Sequence, residues 1–105
     1  MPIKNATDKE LRKLIFENPK VSVKFTKTDC PICERMSKTY LKLSDQARYK
    51  DIIFLLMDAS ENPVSSQEVH LTGTPFFAIY KNGVLATCNL ISNENELEEL
   101  LNELL

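Results

Sequence analysis

Cys30 and Cys33 are separated only by Pro31 and Ile32. At this spacing two thiols can close a disulfide across the first turn of a helix. Such a pair exchanges with another protein's disulfide through a mixed disulfide, and the attacking sulfur must be a thiolate. A free cysteine titrates at about 8.5. A helix N-terminus favours the anion, because its first N–H groups lack partners and the helix dipole is positive there. Cys30 falls at that terminus. Cys33 falls one turn in, on the same stripe as Met36 and Tyr40. Cys30 is therefore the expected nucleophile and Cys33 the expected resolving thiol. A zinc ribbon also uses Cys-x-x-Cys but needs four ligands. Cys88 and His70 stand at unrelated positions, so no metal is expected.

The flanking elements must present this pair. Val21-Ser-Val-Lys-Phe25 alternates apolar and polar residues, a strand signature. A polar connector, Thr26 to Asp29, leads into the cysteines. Cys33, Met36, Tyr40, Leu43 and Ala47 then recur at helical spacing, predicting a helix of about four turns. Pro31 suits the first turn, where its missing N–H costs nothing. Upstream, Pro2-Ile3-Lys4 reads as a short edge strand. Thr7 and Glu10 form a capping box for a helix carrying Leu11, Leu14 and Ile15. That helix must stop before Asn18-Pro19.

Downstream, Ile52 to Met57 is an unbroken apolar run, the pattern of a strand covered on both faces. A short helix spans about Pro63 to Val69, and Gly73-Thr-Pro75 leads to a strand over Phe76 to Tyr80. Asn82-Gly83 is a strong hairpin signal, with Val84 to Leu90 as the return strand. Ser92 or Asn93 caps a last helix bearing Leu97, Leu100, Leu101, Leu104 and Leu105. The order is (β)αβαβαββα. Strands separated by helices pair in parallel and the hairpin adds antiparallel strands. The expected class is α/β, with a central mixed sheet and helices on both faces, in one domain over residues 1–105.

Composition narrows the function. Two glycines in 105 residues leave no phosphate-binding glycine loop. No apolar run has the length of a membrane span or a secretory signal. The expectation is a cytoplasmic protein, where thiols are kept reduced. Residues 1–50 carry 12 Lys and Arg against 6 Asp and Glu, whereas residues 51–105 carry 1 against 9. Adjacent halves that neutralise each other account for this. The aromatic residues do not interleave with the lysines in the way a single-strand stacking platform needs.

These motifs together resemble the thioredoxin family over nearly the whole chain: Val21 to Phe25, Cys30-Pro-Ile-Cys33, Met57-Asp58, Gly73-Thr-Pro75 and Tyr80-Lys-Asn-Gly83. The resemblance implies the thioredoxin fold and exchange with protein disulfides. It also implies a thioredoxin-reductase-like electron donor, no cofactor beyond the cysteine pair, and a monomer. It implies that the Thr74–Pro75 bond is cis and faces the redox centre, with Thr74 offering backbone hydrogen bonds to an extended substrate. Asp29, Pro31 and Ile32 complete the expected substrate surface.

The chain also departs from that family. Pro-Ile replaces the usual Gly-Pro between the cysteines. A proline after the first cysteine looks like glutaredoxins, but their Gly-Gly-x-Asp pattern after the hairpin is absent. Asp29 stands where thioredoxins carry tryptophan, and the chain has no tryptophan; its carboxylate opposes a Cys30 thiolate. Lys24 occupies the position of the family's buried aspartate, and Phe54 lies close to where its lysine partner maps. Lys24 either packs its stem with its ammonium in water, or acts on Cys33 through its charge or as a base. Cys88, alternating with Val84, Ala86 and Leu90, is expected as a buried small hydrophobe. His70 is expected at a helix end. Two other readings stay open: an interaction module with little turnover, and a glutathione-coupled enzyme.

Overall fold

In the computed structural model, which describes residues 3–105, the elements run as follows. They are β1 (Ile3–Asn5), α1 (Asp8–Glu17), β2 (Lys20–Thr26), α2 (Pro31–Ser44), a 3-10 turn (Ala47–Tyr49), β3 (Ile53–Asp58), α3 (Pro63–Glu68), β4 (Phe76–Lys81), β5 (Val84–Leu90) and α4 (Glu94–Asn102). Pro2, the first residue of the expected edge strand, lies outside the described residues. The strands form one sheet in the order β1-β3-β2-β4-β5. β1, β3 and β2 are parallel, and β4 and β5 are added antiparallel.

Side chains alternate across this sheet, so β3 and β4 feed two cores, one on each face. Phe54, Phe77 and Ile79 pack with Met36, Tyr40 and Leu43 of α2 and Leu97, Leu100 and Leu101 of α4. Val21, Val23, Phe25, Leu55, Met57, Phe76, Ala78 and Tyr80 face Leu11 of α1 and Val69 after α3. The mixed α/β sheet with helices on both faces is therefore as expected.

Local chemistry sets the boundaries. The Thr7–Glu10 capping box forms in full, and Asn18 ends α1 in extended backbone. α2 has the expected length of about four turns but ends at Ser44, before Ala47. At its end Asp45 and Gln46 donate to Lys42 and Leu43, tightening the last turn, so the stripe stops at Leu43 and Ala47 is exposed. α3 ends with His70 at φ 53. His70 and Leu71 donate to Gln67 and Ser66, the paired bonds that close a helix on a left-handed residue. Asn82 and Gly83, both at positive φ, make the hairpin turn.

Two apolar expectations fail. Leu104 is buried, but Leu105 lies beyond α4 and is 57% exposed. In β5, Ile79 pairs with Thr87 but Tyr80 pairs with Leu85, so Ala86 is an extra residue. This bulge moves Leu85 onto the face of Cys88 and leaves Val84 exposed. Cys88 is only half-buried. Burial pushes its thiol up from the ordinary value.

The charge asymmetry resolves at the α2–α4 edge, where Lys42 pairs with Glu94 at 2.9 Å and Arg48 with Glu98 at 2.6 Å. Both pairs are solvent-screened and add little to stability. A better-defined clip joins α1 to α3. The Asp8 carboxylate accepts from the Val64 and Ser65 amides at 3.1 and 2.8 Å, and the Asp8 amide donates to Asn62 at 2.8 Å. Burial works to raise the Asp8 pKa, but the hydrogen bonds from Ser65 and Val64 outweigh it and hold the carboxyl below 3.8. A depressed carboxyl stabilises the fold above its unfolded value, and that contribution is lost as pH falls through the folded value. Asp8→Ala should therefore cost about 1–2 kcal/mol in urea denaturation at pH 7. The difference from the parent should shrink as the pH drops below 3.8.

Candidate active site

β2 delivers the chain to the C-terminal edge of the sheet, and the connector turns it back through Asp29, which adopts φ 58. A left-handed residue without a glycine is uncommon, and aspartate is among the side chains that tolerate it. The next residue, Cys30, is the N-cap of α2, with Pro31 in the first turn. Cys30 and Cys33 are joined as a disulfide with Cα atoms 5.1 Å apart. The Cys33 amide donates to Cys30 Sγ at 3.2 Å. This N–H is one of the helix's otherwise unpartnered donors, so it is already aimed at the sulfur that carries negative charge after reduction.

The two sulfurs are not equivalent. Cys33 is 2% exposed, whereas Cys30 is half-buried and open to one side. Opposite Cys30, Thr74 Oγ1 donates to Sγ at 3.6 Å and the Thr74 carbonyl oxygen lies 3.9 Å away. The Thr74–Pro75 bond is cis. Pro75 is buried while Asp29, Pro31 and Ile32 are exposed. Thus Cys30, Cys33, Thr74 and Pro75 converge, and Asp29, Pro31 and Ile32 lie on the surface beside them. Leu90 belongs to this rim as well, since it approaches Gly73 and is 47% exposed. Its alternation with Cys88 had suggested packing instead.

Beneath the cysteines the structure corrects one expectation. Lys24 does not send its ammonium into water; the residue is 0% exposed. Nζ donates to the Cys33 carbonyl at 3.0 Å and to Ser37 Oγ at 2.7 Å, and Ser37 in turn donates to the same carbonyl at 3.0 Å. Among the described residues no carboxylate lies within ion-pair distance of Lys24. Burial, unopposed, pushes the amine down from 10.5 to about 8. Next to it, Tyr40 donates to the Leu55 carbonyl at 3.0 Å and Ser22 shares a 2.9 Å bond with the Tyr40 hydroxyl. Burial raises the Tyr40 pKa far above its ordinary value, so the phenol stays neutral. Ser37 and Tyr40 carried no independent sequence signal; each reads as an ordinary helix residue until the strand opposite is known.

A family model described as Thioredoxin matches residues 2–104. The chain is 32% identical over 95 residues to mitochondrial thioredoxin-3 of Saccharomyces cerevisiae, covering 90% of this chain and 73% of the relative. The oxidised crystal structure of that yeast protein superposes with a TM-score of 0.88 at 30% identity, over 96% of this chain and 94% of the other. A Plasmodium falciparum thioredoxin structure gives a TM-score of 0.86 at 28% identity, over 95% and 97%.

The unpaired lysine makes a stability prediction. At pH 7 the folded and unfolded chains both hold the Lys24 proton, so the fold bears the full cost of the buried charge. Between about pH 8 and 10.5 the unfolded chain keeps a proton that the folded chain has shed. Stability therefore climbs with pH across that window, and the cost is gone above it. Oxidised Lys24→Met should be more stable than the parent by about 1–3 kcal/mol at pH 7. Denaturant titrations should show the advantage shrinking from pH 8 to 10.5.

Proposed function

This chain belongs to the thioredoxin family, and from that premise we propose how its cysteine pair works. The chain is a thiol–disulfide oxidoreductase acting on protein disulfides, and the family draws its electrons from thioredoxin reductase. In our reading the Cys30 thiolate attacks a substrate disulfide. Its sulfur bonds to one substrate sulfur, and the electron pair of the broken bond leaves on the other. The Cys33 thiolate then attacks Cys30 Sγ, closing the intramolecular disulfide and expelling the second substrate sulfur.

The observation that carries this assignment is the asymmetry of the pair. Cys30 caps the helix with a backbone N–H at 3.2 Å and is open on the Thr74 side, whereas Cys33 is buried. The Thr74 backbone serves as the strand-like partner for an extended substrate. Pro31, Ile32 and Leu90 supply an apolar rim, and Asp29 biases that rim toward substrates without a facing carboxylate. Lys24 places a positive charge against the Cys33 residue and so favours its thiolate. A monomer working in the cytoplasm, where thiols are kept reduced, completes the proposal.

The expected result is insulin reduction driven by NADPH and thioredoxin reductase, lost in Cys30→Ser. Cys33→Ser should instead accumulate a substrate adduct that dithiothreitol releases. Turnover with glutathione alone would favour the glutathione-coupled reading, and a folded protein with no turnover would favour an interaction module.

A further inference from the structure

Lys24 is a charged side chain placed in the interior without a counter-charge. Its nitrogen nevertheless sits one hydrogen bond from the surface. Ser37, which accepts from Nζ at 2.7 Å, lies on the exposed side of α2. Beside them runs a groove of about 270 Å³ lined by Ile3, Asn5, Lys24, Ser37, Tyr40 and Leu56, with Leu41 at its edge. The groove is large enough for several waters.

The groups facing Lys24 are few. α2 presents Cys33, Ser37 and Tyr40. β1 presents Ile3 and Asn5, and β3 presents Leu56. Across the sheet β4 brings Phe77 into register. The acid nearest along β3, Asp58, spends its carboxylate on the Ser60 and Glu61 amides. The charged residues of α2's outer surface, Glu34, Arg35 and Lys38, are exposed. Tyr40 is held neutral by burial. Cys33 is thus the one neighbour whose charge changes during the reaction.

We propose that Lys24 is a redox-linked proton site: at alkaline pH it loads a proton from solvent through the Ser37 hydroxyl and the groove when the disulfide is reduced and returns it when the disulfide closes, and at neutral pH it keeps that proton throughout as the counter-charge of the Cys33 thiolate. Two electrons delivered to the Cys30–Cys33 bond leave a negative charge on each sulfur. Cys30 can exchange protons directly with solvent, but Cys33 is shielded from it. Charge at the buried thiolate is balanced by a proton bound at Nζ. In the resolving step the Cys33 thiolate forms the new S–S bond, and the electron pair departs on the substrate sulfur. The ammonium then faces no anion, and above about pH 8 its proton leaves through Ser37 and the groove to water, where the substrate thiolate is protonated according to pH. The low proton affinity of Lys24 in the oxidised protein fits this cycle. The proposal rests on the reading that Cys33 resolves.

Nitrogen-detected NMR of Lys24 Nζ in the whole oxidised and reduced protein tests it. Reduction should raise the Lys24 titration midpoint by at least one pH unit, about tenfold in proton affinity. An unchanged midpoint would overturn the proposal. A second test uses Cys30→Ser in a Cys88→Ala background, where Cys33 is the remaining thiol and thiolate absorbance reports it. Adding Lys24→Met should move its midpoint up by at least one unit, and Lys24→Arg should restore it; equal midpoints in all three contradict the link. If Lys24→Met does not fold, the NMR comparison on the unmutated chain decides alone. Ser37→Val should slow hydrogen exchange at Nζ at least tenfold, and unchanged exchange removes the Ser37 route. Insulin reduction without a Lys24 shift sinks the proton link alone. A shift without insulin reduction sinks the reductase reading alone.

Discussion

Ser22 and Lys24 project from the central strand β2 into the face covered by α2, and buried polar groups must find partners there. This constraint governs how α2 can sit. Tyr40 must meet Ser22 and the Leu55 carbonyl, and one turn nearer the cysteines Ser37 and the Cys33 carbonyl must meet Lys24. Leaving any of these donors unmatched would cost about 1–3 kcal/mol. The two bonded sets fix both the rotation and the axial position of the helix. Once they are made, the helix N-terminus stands at the sheet edge with Cys30 against Thr74. The polar seam thus positions the redox centre, while the apolar residues of α2 and α4 supply most of the burial.

The same seam imposes an electrostatic cost. A buried ammonium without a carboxylate is unfavourable, and its two hydrogen bonds to neutral oxygens only partly offset the lost hydration. Surface pairs such as Lys42–Glu94 act on a smaller scale and under solvent screening. A fold that retains Lys24 at 0% exposure therefore carries a local destabilisation at its reactive centre. That arrangement suits a group whose charge is matched during only part of a cycle.

Much of the architecture was legible in the chain. The capping box, the Asn-Gly hairpin, the apolar β3 run and the Cys33–Met36–Tyr40–Leu43 stripe each report a local rule, and the structure obeys all of them. The errors share a cause, since periodicity does not mark where a pattern stops. Ala47 and Leu105 continue their stripes in spacing but lie beyond the ends of α2 and α4. The bulge at Ala86 shifts the phase of β5, so Leu85 rather than Val84 shares the face of Cys88. Lys24 was singled out by its departure from family pattern. Its partner Ser37, and the Tyr40 that meets Ser22 beside it, could not be paired from the sequence, because residues 13 and 18 apart become a site only when β2 and α2 are brought together. The positive φ of Asp29 was likewise hidden, because aspartate is an ordinary connector residue.

The central claim is that the two cysteines of one short motif differ in kind, one exposed at a helix cap and one buried beneath it. Alkylation of the reduced protein by iodoacetamide across pH, read by peptide mass spectrometry, tests it directly. The account predicts that Cys30 is modified first, with a rate that follows its thiolate, while Cys33 and Cys88 stay protected in the folded chain. Modification of Cys33 at the same rate as Cys30 would contradict it.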